Sequence, residues 1–307
     1  MRKKWIPLFL LGIVVPALIW YLFIKPYDYL VTFKAKALPG TIAQTIKLWG
    51  QHERISTFGE STLDNELLQT LTFNDSLFEF RWKIIPVHDS LSKVKVYATD
   101  GNHSLRNKMR IPFSDTDFEK RTRKELLDFN KKLKEHLNKF RVTFMGEENI
   151  EKVFCACTEL KTSQYGKAAG MMRDYPFLSN FLVNNGLTLN GSPRLEVIKW
   201  HRAKDSIEVD FCFPIVKSDT LPQHPLLKYR VLGGKKALKA IYNGNYITSD
   251  RAWYTLLHQA KKQGVDVKET PVEVFHNNPN TGGGELSWKA EIYMPLMQEG
   301  EKGVDSL

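Results

Sequence analysis

A chain of 307 residues is long enough for two domains. With 42% hydrophobic and 12% aromatic residues it can fill ordinary cores, which excludes global disorder. The net charge of +10 is spread along the sequence, and around its densest basic stretch, Arg121–Lys139, apolar residues from Phe118 through Leu126, Phe129 and Leu133 to Phe140 recur at helical spacing, which reads as the solvated face of an amphipathic helix and not as a nucleic-acid surface.

In chain order, Trp5–Ile24 carries no charged side chain. At a rise of ~1.5 Å per residue a helix of this length spans ~30 Å, the thickness of a hydrocarbon core. Residues 1–25 are therefore expected to form an uncleaved, single-pass transmembrane anchor, kinked at Pro16, with Trp20 and Tyr21 at an interface. Arg2, Lys3 and Lys4 on the short flank place the N-terminus in the cytoplasm and the following domains outside it, at the cell membrane.

Residues 26–148 read as a first soluble domain. Tyr29–Lys36 alternates like a strand, and Pro39-Gly40 opens an apolar-periodic stretch ending near Trp49. Phe78–Val87 and Lys93–Ala98 read as strands joined by a turn at His88-Asp89-Ser90. A helix follows from Asp117 to Lys139, capped by Ser114 or Asp115, and then a strand, Phe140–Met145. This order resembles the START-related, polyketide-cyclase-like (SRPBCC) helix-grip fold.

Residues 149–298 contain an internal repeat, leaving 299–307 as a tail. Each unit runs strand, helix, strand, strand: Lys152–Glu159, a helix ending near Asn185, Pro193–Trp200 and Ile207–Pro214, and then Ala237–Tyr242, a helix over about Thr248–Gln263, Pro271–Phe275 and Trp288–Pro295. Gly186 precedes Pro193, and Gly264 precedes Pro271, by the same interval. Stepping back from these glycines pairs Trp253 with Tyr175, Leu256 with Leu178 and Ala260 with Leu182. The expected fold class is α+β: a duplicated βαββ domain after a helix-grip-like domain and one N-terminal transmembrane helix.

Leu232-Gly-Gly, Tyr242-Asn-Gly-Asn-Tyr246, the helix with Trp253, Thr270–Phe275 and Glu291–Pro295 together resemble the GyrI-like effector-binding domain, the ligand-sensing half of AraC-type and MerR-type multidrug regulators. The resemblance implies two βαββ units side by side, helices on one face and a ligand cleft along the other. It also implies that the acid matching Glu273 lies at the centre of the pocket, with Tyr293, Trp253 and Tyr242 among the surrounding aromatics. No helix-turn-helix precedes the domain, so neither a direct regulatory role nor a nucleic-acid partner is expected.

Period two in the strands places Val272 and Val274 on one face and Glu273 and Phe275 on the other. In the last strand Ala290, Ile292 and Met294 should meet the helices, leaving Glu291 and Tyr293 toward the cleft with Glu273. In the first repeat Ile207, Val209, Phe211 and Phe213 should meet the helices, with Glu208, Asp210 and Cys212 opposite. An acid among aromatic faces attracts an amphipathic cation. The expected function is thus binding of a hydrophobic or cationic small molecule at Glu273, Tyr293, Trp253, Tyr242, Phe275 and Glu291. The alternative is hydrolysis of reactive small molecules, with Glu273 as general acid–base assisted by Tyr293. Cys155, Cys157 and Cys212 read as small core residues. No HExxH, CxxC or Cys/His cluster is present, so neither a metal site nor a cofactor is expected. Thr281–Gly284 reads as a hairpin loop.

Overall fold

The computed structural model describes residues 5–53, 56–59, 65–73, 76–279 and 282–298. The basic flank Arg2–Lys4, Thr281 and the tail from 299 lie outside them. The chain divides into two units, one up to Lys134 and one from Glu135.

The first unit begins with α1 (Trp5–Ile19) and a π-helical segment, Trp20–Ile24. The single α-helix expected over Trp5–Ile24 is thus corrected to 15 α-helical residues and 5 π-helical ones. Pro16 lies inside α1, which continues to Ile19, and the π-helical turn after it closes with Lys25 N–H donating to the Trp20 carbonyl at 2.8 Å. No helix among the described residues is long and apolar enough to cross a membrane.

Strands β1 (Tyr29–Ala35), β2 (Ser56–Phe58), β3 (Glu66–Phe73), β4 (Ser76–His88) and β5 (Leu91–Asp100) form an antiparallel sheet in the order β1-β5-β4-β3-β2. Helix α2 (Pro39–Glu53) lies between β1 and β2 in the chain, and α3 (Ser104–Arg110) and α4 (Asp117–Leu137) follow β5. Alternation along β4 buries Phe78, Phe80, Trp82 and Ile84, while Phe118, Leu126, Phe129 and Leu133 form the buried stripe of α4. Aromatic rings fill the space between them, with Phe129 5.0 Å from Trp82 and 5.5 Å from Trp49 between centroids. The cap of α4 is Thr116, not Ser114 or Asp115: its Oγ1 accepts the Glu119 N–H at 3.1 Å.

The second unit holds β6 (Phe140–Asn149), β7 (Val153–Thr162), α5 (Lys167–Asn184), β8 (Arg194–His201), β9 (Ser206–Pro214), β10 (Lys228–Leu232), β11 (Lys236–Gly244), α6 (Arg251–Gln263), β12 (Val272–Phe275) and β13 (Lys289–Pro295). Its antiparallel sheet has the order β10-β7-β9-β8-β12-β13-β11-β6. The repeat is plain in this order: β7-β9-β8 meets β12-β13-β11 through the β8–β12 pairing, where Leu195 stands opposite Glu273. Gly186 and Gly264 follow the two helices with φ of +74° and +65°, the left-handed turn that glycine takes without strain. The unit boundary falls earlier than residue 148, because β6 hydrogen-bonds along β11 from Phe140 to Asn149 and belongs to this sheet.

Both helices pack on one face of the sheet. Leu178 and Leu182 of α5 and Trp253, Leu256 and Ala260 of α6 share a core with Leu195, Val197, Ile207, Val209, Phe211, Phe213, Ala290, Ile292 and Met294. The faces expected for β9 and β13 are therefore present. On the other face Cys155, Cys157 and Cys212 cluster with Leu232. The cysteines are more than core filler: register sets Cys157 opposite Cys212, and the two form a disulfide. Burial pushes the remaining thiol, Cys155, up to about 11 against the opposing charges of Arg194 and Arg230.

Candidate ligand cavity beside a buried ion pair

Strand register decides where Glu273 points. Glu273 pairs with Ile292, and Phe275 with Ala290, so both side chains lie on the helix face. Val272 and Val274 pair with Tyr293 and Glu291 and turn to the opposite face. The expectation that Glu273, Phe275, Glu291 and Tyr293 share one face is corrected accordingly. The apolar residues of β13 do meet the helices, and the acid in β12 faces the same way.

Glu273 is fully buried, which an ionised carboxylate tolerates only with partners. Its Oε1 accepts the Trp253 indole N–H at 2.7 Å, and its Oε2 accepts the Ser249 hydroxyl at 2.8 Å. The Lys167 ammonium lies 3.3 and 3.2 Å from the two oxygens. Lys167 is also fully buried and donates to the Tyr246 carbonyl at 3.1 Å and to Ser249 Oγ. Burial raises the Glu273 carboxyl above its ordinary range, while Lys167 and Ser249 pull it down. The acid expected to stand unpaired in a cleft is half of an internal ion pair.

In front of this pair opens a cavity of about 540 Å³. Ala168, next to Lys167 in α5, lines it with Met171, Met172 and Tyr175 one and two turns further on. Phe211 of β9 and Phe275 of β12 form its sheet side, and Tyr246 and Trp288 close the wall. The Tyr246 ring is 4.8 Å from Phe275 and 6.0 Å from Trp288 between centroids. Its hydroxyl donates to the Lys289 carbonyl at 2.8 Å and accepts the Asn277 N–H at 3.2 Å, and burial pushes it up to about 12. Ser192, Asn245, His276, Asn277 and Asn278 add polar edges. None of the described lining residues is a carboxylate, lysine or arginine.

Of the six residues singled out in the sequence, Phe275 lines this cavity. Glu273 and Trp253 are fully buried and do not line it. Tyr242 is buried against Phe140, its ring stacked at 5.9 Å, and its hydroxyl donates to the Asn245 carbonyl at 2.9 Å. Glu291 and Tyr293 form a separate polar cluster on the other face. There the Tyr293 hydroxyl donates to Glu291 Oε2 at 2.8 Å, Lys289 donates to Oε1 at 2.8 Å, and Lys239 stands 3.4 Å from Oε2. Burial alone would raise the Glu291 carboxyl, but these donors and charges outweigh it and hold it down at about 2. Tyr246, Trp288, Met171, Tyr175 and Lys167 were not singled out as site residues, although Tyr246 ends the motif that begins at Tyr242.

No protein-family model matches the sequence, and no curated protein does. Among solved structures, the chain is similar to the EcmrR C-terminal domain, with 15% identity, 52% of this chain and 98% of that one covered, and a TM-score of 0.43. A hydrolase from Listeria innocua follows at 11% identity, 55% and 98% coverage and a TM-score of 0.32. SAV2435 bound to tetraphenylphosphonium gives 11% identity, 53% and 96% coverage and a TM-score of 0.33.

Proposed function

We propose that the second unit binds a hydrophobic, uncharged small molecule in the cavity between α5 and the sheet. The observation that carries this reading is a lining of Met171, Met172, Tyr175, Phe211, Tyr246, Phe275 and Trp288 with no charged carboxylate, lysine or arginine among them. Apolar walls with a few polar edges suit burial of an apolar ligand oriented by one or two hydrogen bonds. The cationic reading rested on a free acid, and Glu273 is paired. Filling the cavity tests the proposal: Ala168→Trp should weaken binding of a neutral aromatic probe at least about tenfold, on the scale of losing ~1.4 kcal/mol. Unchanged binding would remove the cavity from the account.

Hydrolysis receives less support. Both Glu273 oxygens are engaged, and the side chain does not line the cavity.

The reading extends to a membrane. The uncharged stretch Trp5–Ile24, fifteen α-helical residues continued by five π-helical ones, supports a lipid contact. The Cys157–Cys212 disulfide supports an oxidising compartment, in line with a second unit outside the cytoplasm. The order of the first unit, an antiparallel sheet with α2 after its first strand and the long α4 closing the unit, supports a helix-grip-like reading of it. A carbonate wash should leave the full chain with membranes, and its release would end the membrane reading.

A further inference from the structure

Helix α3 and the turn after it expose three large apolar side chains, Leu105, Met109 and Phe113, the last of them 89% exposed. This face belongs to a fixed element. On its buried side Lys108 donates to the Lys25 carbonyl at 2.6 Å and to the Leu22 carbonyl at 3.4 Å, and Ser104 Oγ donates to Asp28 Oδ1 at 2.5 Å. Leu22 and Lys25 stand at the end of the apolar stretch, whose Trp20, Phe23 and Ile24 are themselves exposed, Phe23 to 69%. The two apolar surfaces are therefore joined through Lys108.

Charge on the same helix points to what covers them. Arg106 and Arg110, four apart and so on one side of α3, line a cavity of about 370 Å³ with Arg121 of α4, Ser114 and Thr116. Among the described residues none of these guanidinium groups has a hydrogen bond or ion pair. The Asp100 carboxylate in the same cavity is occupied by the N–H groups of Asn102 and His103 and the side-chain amide of Asn107. Asp115 and Asp117 also line it. With Asp100 they balance the three arginines in formal charge, which disfavours a multiply charged anion; a singly charged phosphodiester is held here by the unengaged guanidinium donors and not by a net positive field.

We propose that α3 and the turn to Phe113 are a phospholipid-contact surface. Leu105, Met109 and Phe113 enter the interface beside the end of the Trp5–Ile24 helix, and Arg106, Arg110 and Arg121 hold a lipid phosphate. Leu105 and Met109 form one edge of α3 and Arg106 and Arg110 the neighbouring edge, about 100° round the helix, with Asn107 and Lys108 on the buried side, so an apolar and a cationic edge can meet one interface together. It rests on the membrane contact of Trp5–Ile24 proposed above. The test places photoreactive benzoylphenylalanine, one position at a time, at Phe113, at Phe23 and at the exposed Leu127 of α4. Each full chain is embedded in nanodiscs containing phosphatidylglycerol, and lipid adducts are read by mass spectrometry. Adducts are expected at 113 and 23 and not at 127. Combining Arg106→Gln, Arg110→Gln and Arg121→Gln should cut the yield at 113 about tenfold and leave that at 23 unchanged. Labelling at 23 without labelling at 113, or equal labelling at 127, overturns the surface and leaves the membrane contact standing. Labelling at neither 113 nor 23 overturns both. A yield at 113 that ignores the arginine substitutions overturns the phosphate site.

Discussion

The Lys167 ammonium lies 3.2 Å from Glu273 Oε2, and neither side chain reaches solvent. Removing one partner leaves a buried charge alone, which typically costs about 3–5 kcal/mol. Glu273→Gln should therefore lower the denaturation midpoint strongly. Lys167→Met combined with Glu273→Leu, which copies the Leu195 position of the first repeat, should recover most of that loss. A Glu273→Gln variant as stable as the parent would show that the pair contributes nothing to the fold.

The Cys157–Cys212 disulfide joins strands 55 residues apart in sequence. Closing a loop of that length stabilises by about 2–4 kcal/mol. Denatured, unreduced protein should take up one alkylating group, on Cys155, and reduction should lower the melting temperature. Three alkylated cysteines without reductant would contradict the pairing.

Gly233 lies in a motif legible in the sequence and has a φ of +85°, where a Cβ would come 2.0 Å from the Glu151 carbonyl oxygen. Backbone cannot yield as a side-chain end can. Gly233→Ala should cost at least about 1–2 kcal/mol in chemical denaturation; Gly282→Ala, with open space around it and φ of +83°, should cost less.

Glu291 gives the pH dependence. Its folded carboxyl, at about 2, lies below the ordinary 4.5, so the folded state favours the ionised form. This contribution is fully present above about 4.5 and is lost as pH falls from there toward 2. The gap in denaturation midpoint between the parent and Glu291→Gln should narrow through that window. A gap that stays constant from pH 6 to 3 would contradict the assignment.

The duplicated βαββ order was legible because both copies repeat their punctuation, Gly186 with Pro193 and Gly264 with Pro271, and because β9 and β13 each present a clean apolar alternation. The facing of Glu273 was misread because a charged residue was assigned to the cleft side. Its partner, Lys167, is 106 positions away and leaves no local signal. A signal did exist: Leu195 and Val197 occupy the matching positions of β8 and lie in the core. Strand β3 went unread because Gln69, on its inward face, breaks the apolar alternation; the residue is buried and accepts the Trp82 indole N–H at 3.0 Å. Strand β6 was placed in the wrong unit because edge-strand pairing depends on β11, far along the chain.

The most direct test of the account compares two aromatic probes of equal shape, one neutral and one quaternary ammonium, by equilibrium titration of the full chain in nanodiscs. The neutral probe should bind at least as tightly as the cation, and Ala168→Trp should weaken it at least about tenfold. Preference for the cation, unaffected by Ala168→Trp and abolished in a Glu273→Gln chain that still melts cooperatively, would contradict the proposed function.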